Sequence, residues 1–249
     1  MKTKYFALLI AAMGSSLSLG ASISNLESAY SKNSTVYDGT NGDTLNVSTP
    51  TTLNVNTTGS WTMAFTVSNL TATSDPNVGL LFTYNTGSYY NLEGMGYQLT
   101  EDGIFTLNVG GFNYNGGTAA SSPWKTQTLT GYSSNTPLTL FYTFNKNAVS
   151  ISAMVNGTLI TLSDLSGNAQ FGGQSMTQIN FSAKDTSGNI WSAPNGITGE
   201  YTLNNFDLYT DVLTEDQMKE YALSAVPEPA AASLGLLGLG ILLMRRRRA

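Results

Sequence analysis

The chain has 249 residues, a formal net charge of −5, no cysteine and no histidine. These two absences exclude disulfide bridges, imidazole ligands for zinc and every Ser-His or Cys-His nucleophile, so carboxylate chemistry is the catalytic route left open. Residues 22–225 carry fifteen acidic side chains against five lysines and contain no arginine, which gives a net charge near −10. Because nucleic acids are bound through clustered Lys and Arg, this surface excludes a nucleic-acid partner.

The N-terminus has the order of a secretory signal peptide. Lys2 and Lys4 form a basic start, residues 5–13 form an apolar run, and small residues precede candidate cleavage points after Gly20 and Ala21. The apolar run is too short for a membrane-spanning helix, which needs about 20 residues. We therefore expect residues 1–21 to be a signal peptide and the protein to be exported.

Short runs of alternating apolar and polar residues, separated by turn residues, fill the rest of the chain up to residue 225. This pattern, with turns every eight to twelve residues, predicts an all-β sandwich or barrel, and the length fits one domain. The predicted strands are residues 44–47, 53–55, 61–67, 78–84, 97–99, 104–109, 126–129, 138–144, 149–155, 159–162, 178–181 and 201–209. Glu93 lies in a glycine-rich run that predicts a loop.

Three dipeptides predict tight hairpin turns. Asn156-Gly157 is the strongest of them, because a type I′ turn needs positive φ at both central residues. Asp102-Gly103 and Lys146-Asn147 occupy similar places between other pairs of predicted strands.

One helix is predicted near residue 214. Thr214 and Gln217 have the spacing of a capping box, in which each side chain bonds the backbone N–H of the other residue. Met218, Tyr221 and Ala222 then give an apolar stripe at helical spacing. The helix is expected to end before Pro227, since the residue before proline disfavours helical geometry.

Several of these segments, in order, resemble a LamG-like domain of the concanavalin A-like superfamily. Residues 61–67 are similar to its early core strand, residues 138–158 to its central hairpin, and residues 199–218 to its closing strand. Asn204 and Asn205 stand where that family usually carries an acidic pair. The resemblance implies a jelly-roll β-sandwich over residues 22–225, with a short helix near its end.

The sequence offers no recognisable catalytic pair. A glycoside hydrolase needs two carboxylates flanking the bond that is cleaved, and hydrolases of this superfamily carry them as Glu-x-Asp-x-x-Glu on one strand. That pattern is absent. Glu101 and Asp102 are adjacent and read as solvated charges of a turn. We therefore expect a protein that is not an enzyme, with a hydrolase built from distant carboxylates as the alternative.

Calcium is the one cofactor that the sequence leaves open. LamG-like domains often bind Ca²⁺ at a rim of the sandwich, through Asp side chains and backbone carbonyls. Residues 38–43 alternate oxygen donors with two glycines, which is equally typical of turns stabilised by their own Asx side chains. The candidate ligands are Asp38, Asp43 and Asp207.

A sugar would bind exposed aromatic rings that have amide and hydroxyl neighbours. Aromatic residues beside Asn and Gly, outside a clean strand alternation, are better candidates than Trp61 and Phe65, which the pattern assigns to the core. The alternative for each is packing at the rim of the sandwich. The candidates are Tyr89, Tyr90, Asn91, Tyr114 and Trp124.

The C-terminus holds a Pro-Glu-Pro motif, an apolar run over residues 230–244 and a terminal arginine cluster. The run would form a helix of about 22 Å, shorter than a ~30 Å hydrocarbon core. Residues 226–249 resemble the PEP-CTERM signal of Gram-negative bacteria, which implies transient insertion in the inner membrane and processing by an exosortase. A short single-pass anchor is the alternative. The signal residues are Pro227, Glu228, Pro229, Arg245, Arg246, Arg247 and Arg248.

Together these features predict an exported protein of the cell surface or extracellular matrix, with a carbohydrate-binding or structural domain. Extracellular polysaccharide and the processing exosortase are the expected partners. Two alternatives stay open: a polysaccharide-degrading enzyme of the concanavalin A-like superfamily, and a glycosylated matrix protein without a specific ligand.

Overall fold

The structure is a computed structural model that describes the following parts of the chain. They are residues 28–37, 43–46, 53–54, 59–71, 78–85, 90–115, 118–121, 125–133, 136–146, 148–165, 167–168, 175–176, 178–181 and 200–225.

Two antiparallel sheets form the described part of the fold. The first sheet contains β1 (Tyr30–Tyr37), β4 (Ser60–Ser68), β10 (Leu138–Asn145), β11 (Ala148–Val155), β12 (Thr158–Thr161), β13 (Gly167–Asn168) and β16 (Tyr201–Tyr209). The second contains β2 (Asp43–Asn46), β5 (Val78–Asn85), β6 (Tyr90–Leu99), β7 (Phe105–Asn115), β8 (Thr118–Ser121), β9 (Lys125–Thr128) and β15 (Gln178–Phe181). A short pair, β3 (Leu53–Asn54) with β14 (Ser175–Met176), stands apart, and the helix α1 spans Glu215–Ala225.

The strand order is that of a jelly-roll sandwich. The first sheet runs β1-β16-β4-β10-β11-β12, with β13 also on β11, and the second runs β2-β15-β5-β6-β7-β8, with β9 also on β7. Both sheets contain neighbours that are distant in sequence, such as β16 with β4 and β15 with β5, because the chain passes repeatedly from one sheet to the other. The prediction of an all-β jelly-roll sandwich with a short helix near its end is confirmed.

Apolar side chains from both sheets meet in one core. Phe181 of the second sheet packs edge-on against Phe206 of the first, with ring centroids 5.0 Å apart. Trp61 stacks between Tyr142 and Phe144 at 5.5 and 5.3 Å. Trp61 and Phe65 are 3% and 1% exposed, which confirms their predicted place in the core.

The outer face of the first sheet is also covered. The seven central residues of β4 are all buried, because α1 packs on the side of the sheet that faces away from the core. Met218, Tyr221 and Ala222, the predicted apolar stripe, contact Ala64 and Phe141 in a second cluster there. The helix therefore buries the second face of a strand whose apolar and polar residues alternate.

The predicted turns have the expected backbone geometry. Asn156 and Gly157 have φ of 50° and 77°, as a type I′ turn requires, and they join β11 to β12. Gly103 has φ of 80° and donates its N–H to the carbonyl of Thr100 at 2.9 Å, which closes the turn between β6 and β7. Lys146 has φ of 49° between β10 and β11. Asn147 lies outside the described residues.

The capping box is present at the start of α1. The Thr214 N–H donates to Oε1 of Gln217 at 2.8 Å, and the Gln217 N–H donates to Oγ1 of Thr214 at 3.3 Å. Lys219 then pairs with Glu215 one turn earlier at 2.6 Å. These local interactions fix where the helix begins and hence where it lies on the first sheet.

The main differences from the predicted strands are in β1 and β6. The sequence of β1 is polar because it is an edge strand with one largely exposed face, so it lacks an apolar alternation. The loop prediction for Glu93 is wrong, since this residue lies inside β6, whose glycines conceal the strand pattern. No helix in the described part of the chain is long and apolar enough to cross a membrane. The predicted terminal apolar helices lie outside it.

Candidate functional site

The sequence motifs at both ends fall outside the described residues. These are the predicted signal peptide, residues 1–21, and the predicted sorting signal, residues 226–249. Helix α1 ends at Ala225, directly before the Pro-Glu-Pro motif. The signal residues therefore stay sequence predictions.

The structure does not bring the candidate calcium ligands together. Asp43 lies on β2 of the second sheet and pairs with Lys32 of β1, linking the edges of the two sheets. Asp207 lies on β16 of the first sheet and accepts hydrogen bonds from Ser31 and Tyr221. Asp38 lies outside the described residues, among which no group of three acidic side chains could hold a metal ion. Calcium binding stays a prediction.

The described candidate sugar-binding residues lie on two strands of the second sheet, near the start of β6 and near the end of β7. Tyr90 and Asn91 are strand residues at the start of β6, and Tyr114 lies near the end of β7. The ladder between β6 and β7 ends at the pair Glu93–Gly111, beyond which β7 pairs with β8 instead. Tyr89 and Trp124 lie outside the described residues.

A row of glycines crosses the middle of the same sheet. Gly79 of β5 is the register partner of Gly96 of β6, and Gly94 of β6 is the partner of Gly110 of β7. Met95 and Tyr97, which flank Gly96, are buried in the core between the sheets. Since successive strand residues point to opposite faces, these glycines lie on the face away from the core.

We call these four positions, Gly79, Gly94, Gly96 and Gly110, the glycine strip. They extend over three neighbouring strands and two residue steps, an area of roughly 10 by 7 Å. Glycine weakens a strand interior, and its repeated use there marks a place where backbone must be approached closely. Gly96 and the neighbouring Asn108 are buried even on this outer face, so the strip is recessed at Gly96.

Uncharged polar residues border the glycine strip. Asn108 is the register partner of Gly96, and Gln98 pairs with Thr106 in the next row. On the other side of the strip lies Asn180 of β15. Its register partner is Phe82 of β5, which is in turn the partner of Gly94. The described residues on this face therefore offer amides and hydroxyls, the groups that hydrogen-bond sugar hydroxyls.

Asn180 has an unused acceptor. Its neighbours Ile179 and Phe181 are buried in the core, so the Asn180 side chain points to the outer face of the second sheet. Its Oδ1 atom is buried and accepts no hydrogen bond among the residues that the structure describes. A buried acceptor without a partner calls for an explanation, and a ligand hydroxyl is one.

Most described carboxylates lie elsewhere. Glu101 and Asp102 occupy the exposed turn between β6 and β7, as solvated hairpin charges should. Glu215 and Asp216 are exposed in the first turn of α1, where they favour the helix dipole. Two charged residues adjoin the glycine strip in the described strands: Glu93 directly precedes Gly94, and Lys125 of β9 pairs with Val109, directly before Gly110.

A second recess lies on the outer side of the first sheet, beside α1. It has a volume of about 370 Å³, at the small end of the range for ligand pockets. The C-terminal half of α1 forms one wall, and the segment before β10 together with the turn between β11 and β12 forms the other. Its lining includes Pro137, Met154, Val155, Lys219, Ala222 and Leu223.

A polar cluster holds α1 on the sheet next to this recess. The Tyr221 hydroxyl accepts a hydrogen bond from Nδ2 of Asn205 at 2.9 Å. The same hydroxyl lies 2.9 Å from the carbonyl oxygen of Ala64 and 3.0 Å from Oδ2 of Asp207, which share its single proton. Burial raises the Tyr221 pKa well above 10, and the Asp207 carboxylate adds to the increase. Asp207 is therefore a structural partner of the helix.

Burial perturbs the core tyrosines in the same direction. Desolvation raises the pKa of Tyr97 to about 12, although hydrogen bonds at Thr71 oppose the shift. It also raises the pKa of Tyr201, whose hydroxyl donates to the carbonyl of Leu80 at 2.6 Å. These hydroxyls stay protonated at physiological pH and act as hydrogen-bond donors that tie the two sheets together.

No protein-family model matches the chain, and no curated protein matches it. Solved structures with a similar fold include a carbohydrate-binding module (CBM40) of a Ruminococcus gnavus IT-sialidase bound to α2,3-sialyllactose. It is 15% identical with a TM-score of 0.46, over 78% of this chain and 98% of that one. A heptameric SAP-like pentraxin from Limulus polyphemus is 13% identical with a TM-score of 0.49, over 75% and 80% of the two chains.

An alginate lyase from Alteromonas sp. 272 is also similar, at 13% identity and a TM-score of 0.42, over 76% of this chain and 92% of that one. Likeness of this degree carries no argument about a ligand or an activity. The sequence did not reveal the glycine strip, because the strip exists only once the register of β5, β6 and β7 is known.

Proposed function

We propose that this protein is exported to the cell surface or the extracellular matrix, where its β-sandwich binds a neutral polysaccharide on the glycine strip. The observation that carries the proposal is the strip itself. Two pairs of glycines face each other across three strands, with uncharged amides and hydroxyls at their border. A sugar chain lying there would contact backbone directly and would hydrogen-bond Gln98, Asn108 and Asn180.

Charge selects the class of glycan. Residues 22–225 carry a net charge near −10 and contain no arginine, so an acidic polysaccharide would be repelled over the whole domain. The strip itself adds no cation that could offset this repulsion. A neutral glycan has no such cost, and its hydroxyls match the amides at the border of the strip.

Glycan-array binding of residues 22–225, with neutral and acidic polysaccharides and with and without calcium, tests the proposal. All described strand pairings and α1 lie within this segment. Binding should be confined to neutral glycans. Asn180→Ala should weaken it about fivefold, the effect of one lost hydrogen bond of about 1 kcal/mol. Gly94→Thr, a change that favours strand structure, should abolish binding because it places a side chain on the strip.

Asn33→Ala is the matched control, because Asn33 is an exposed amide on β1 of the first sheet. It should bind like the unmodified domain. Absence of binding to every neutral glycan, or equal binding by all three variants, would overturn the proposal. Release of reducing ends from a bound polysaccharide would instead support the polysaccharide-degrading alternative.

The C-terminal tail is proposed to direct the exported protein. Support comes from the order of Pro-Glu-Pro, apolar run and arginine cluster after α1. Processing by an exosortase would remove all four arginines of the chain and leave the strongly acidic domain at the surface. Intact-mass measurement of the protein from its native cell envelope is the test. A mature form that retains residues 230–248 would show that the tail is a plain anchor.

A further inference from the structure

We propose that, before processing, the apolar segment 230–244 folds back along α1 and occupies the recess beside it. The recess lies between Lys219, Ala222 and Leu223 of α1 and the segment that ends at Pro137. The occupant is thus part of the same chain. This proposal goes beyond sugar binding and holds whether or not the domain binds a glycan.

The first argument is where the described chain ends. Helix α1 stops at Ala225, two residues after Leu223, which lines the recess and is 76% exposed. An apolar side chain so exposed at the rim of an apolar recess lacks a cover in the described part of the molecule. The next apolar run in the chain begins at Ala230, only five positions beyond the end of α1.

The second argument is the length and composition of the connection. Antiparallel helix pairs are joined by loops of about two to five residues, and residues 226–229 number four. Pro227 and Pro229 cannot continue α1, because proline lacks the N–H and clashes with the preceding turn. The two prolines therefore end α1 beside the recess, which is where the proposed reversal of the chain would begin.

The third argument is charge. A helix over residues 230–244 would be about 22 Å long, and α1 is about 16 Å long. Run back antiparallel to α1, the segment would bring the arginine cluster, residues 245–248, level with the first turn of α1 or just beyond it. Glu215 and Asp216 are exposed there, with Asp211 shortly before them. The only arginines of the chain would thus meet exposed carboxylates.

Such a fold-back would keep the apolar segment out of water during export and release it to a bilayer. The recess, about 370 Å³, has room for a few apolar side chains of the segment, so burial there is limited. Insertion of the whole segment in a membrane buries more apolar surface. The docked state would therefore cover the segment reversibly, and insertion of the segment in a membrane would replace it.

Engineered cysteine pairs test the proposal without interference, because the chain has no cysteine of its own. The test uses residues 22–249 in detergent-free buffer. One cysteine replaces Thr136, an exposed residue on the wall opposite α1, and the other replaces Leu234 in the segment. The control pair is Asn33→Cys with Leu234→Cys, because β1 lies three strands away from β10, the strand that Thr136 precedes, which is roughly 14 Å.

The intramolecular disulfide of the Thr136→Cys pair should form at least about tenfold faster than that of the control pair, since docking raises the effective concentration of the thiols. Leu223→Gln should reduce this difference several-fold. Val36→Thr, which alters an exposed apolar residue of β1, should leave it unchanged.

Three results would overturn the proposal. Rates that agree within about twofold for the two cysteine pairs would show that the tethered segment has no preferred place. Disulfide-linked dimers as the main product would mean that a second copy fills the recess. Sedimentation of residues 22–249 without detergent, while residues 22–225 stay in solution, would show that the segment is not covered.

Discussion

Replacing Tyr221 by Phe should destabilise the domain by about 3 kcal/mol, although the change removes only one oxygen atom. The hydroxyl accepts from Asn205 at 2.9 Å and donates to the oxygens of Ala64 and Asp207, at 2.9 and 3.0 Å. A neutral hydrogen bond contributes about 1 kcal/mol net, and one to a charged group about 1.5–3 kcal/mol. The substitution also leaves the Asn205 amide facing an apolar ring edge.

The packing of the ring should be kept, which isolates the hydroxyl. Phe would retain the edge-on contacts with Phe141 and Tyr209, whose ring centroids lie 5.8 and 6.4 Å away. No cavity is created, so the loss belongs to the hydrogen bonds. For a domain of about 200 residues, 3 kcal/mol corresponds to a decrease in Tm of about 6–12 °C.

Urea unfolding at neutral pH gives the free energy, with an unchanged m-value as evidence that the unfolded state is the same. Tyr209→Phe is the matched control, because its hydroxyl makes no hydrogen bond to any described residue. It should cost less than about 0.5 kcal/mol. A double-mutant cycle with Asp207→Asn should show a coupling of about 1 kcal/mol or more. Equal losses for Tyr221→Phe and Tyr209→Phe would refute the assigned role of the cluster.

Three further predictions concern the core, the turns and the helix cap. The raised pKa values of Tyr97 and Tyr221 mean that stability is fully present below about pH 10, where the unfolded tyrosines ionise, and falls above it by about 1.4 kcal/mol per tyrosine per pH unit. Urea midpoints that stay constant between about pH 10 and 12 would contradict this. Gly157→Ala and Gly103→Ala should each cost about 1 kcal/mol by thermal unfolding, since both have positive φ and open space around the added methyl. Thr214→Ala should cost about 1 kcal/mol through the lost cap, whereas Lys219→Gln, at an exposed ion pair, should cost less than about 0.5 kcal/mol.

Those parts of the fold that depend on local chemistry could be predicted from the sequence. An Asn-Gly pair between two strands favours a turn with positive φ, as at Asn156-Gly157, and Thr214 with Gln217 caps a helix through neighbouring backbone groups. The apolar alternation of residues 61–67 and 138–144 likewise reports burial against the opposite sheet. Each of these signals lies within a few residues of the feature that it predicts.

The strands that were missed lack such a local signal. β1 is an edge strand whose backbone pairs with β16, and its side chains are mostly polar because one face meets water. The centre of β6 contains Gly94 and Gly96, which single-sequence patterns assign to loops. Its place in the sheet depends on pairing with β5 and β7, information that no local window contains.

The same limit applies to the candidate sites. Asp207 reads as a calcium ligand in an acidic, histidine-free chain, but its carboxylate bonds Ser31 and Tyr221, which are far from it in sequence. The glycine strip combines residues of β5, β6 and β7 that share nothing recognisable until the register is known. Site prediction from the sequence can therefore name residue types, but not the arrangement that strand register and distant contacts create.

The two outer faces of the sandwich explain why a binding face is expected on the second sheet. On the first sheet, Thr62 and Thr66 point away from the core yet are fully buried. Thr62 bonds the backbone of Asp211 and Leu213 just before α1, so its polar atoms are already used by the protein. On the second sheet, Oδ1 of Asn180 has no partner among the described residues, and neither has Oγ1 of Thr143 on the first sheet, but α1 packs on the outer face of the first sheet. A ligand that brings hydroxyl donors would gain a hydrogen bond at Asn180, on the sheet that α1 does not cover.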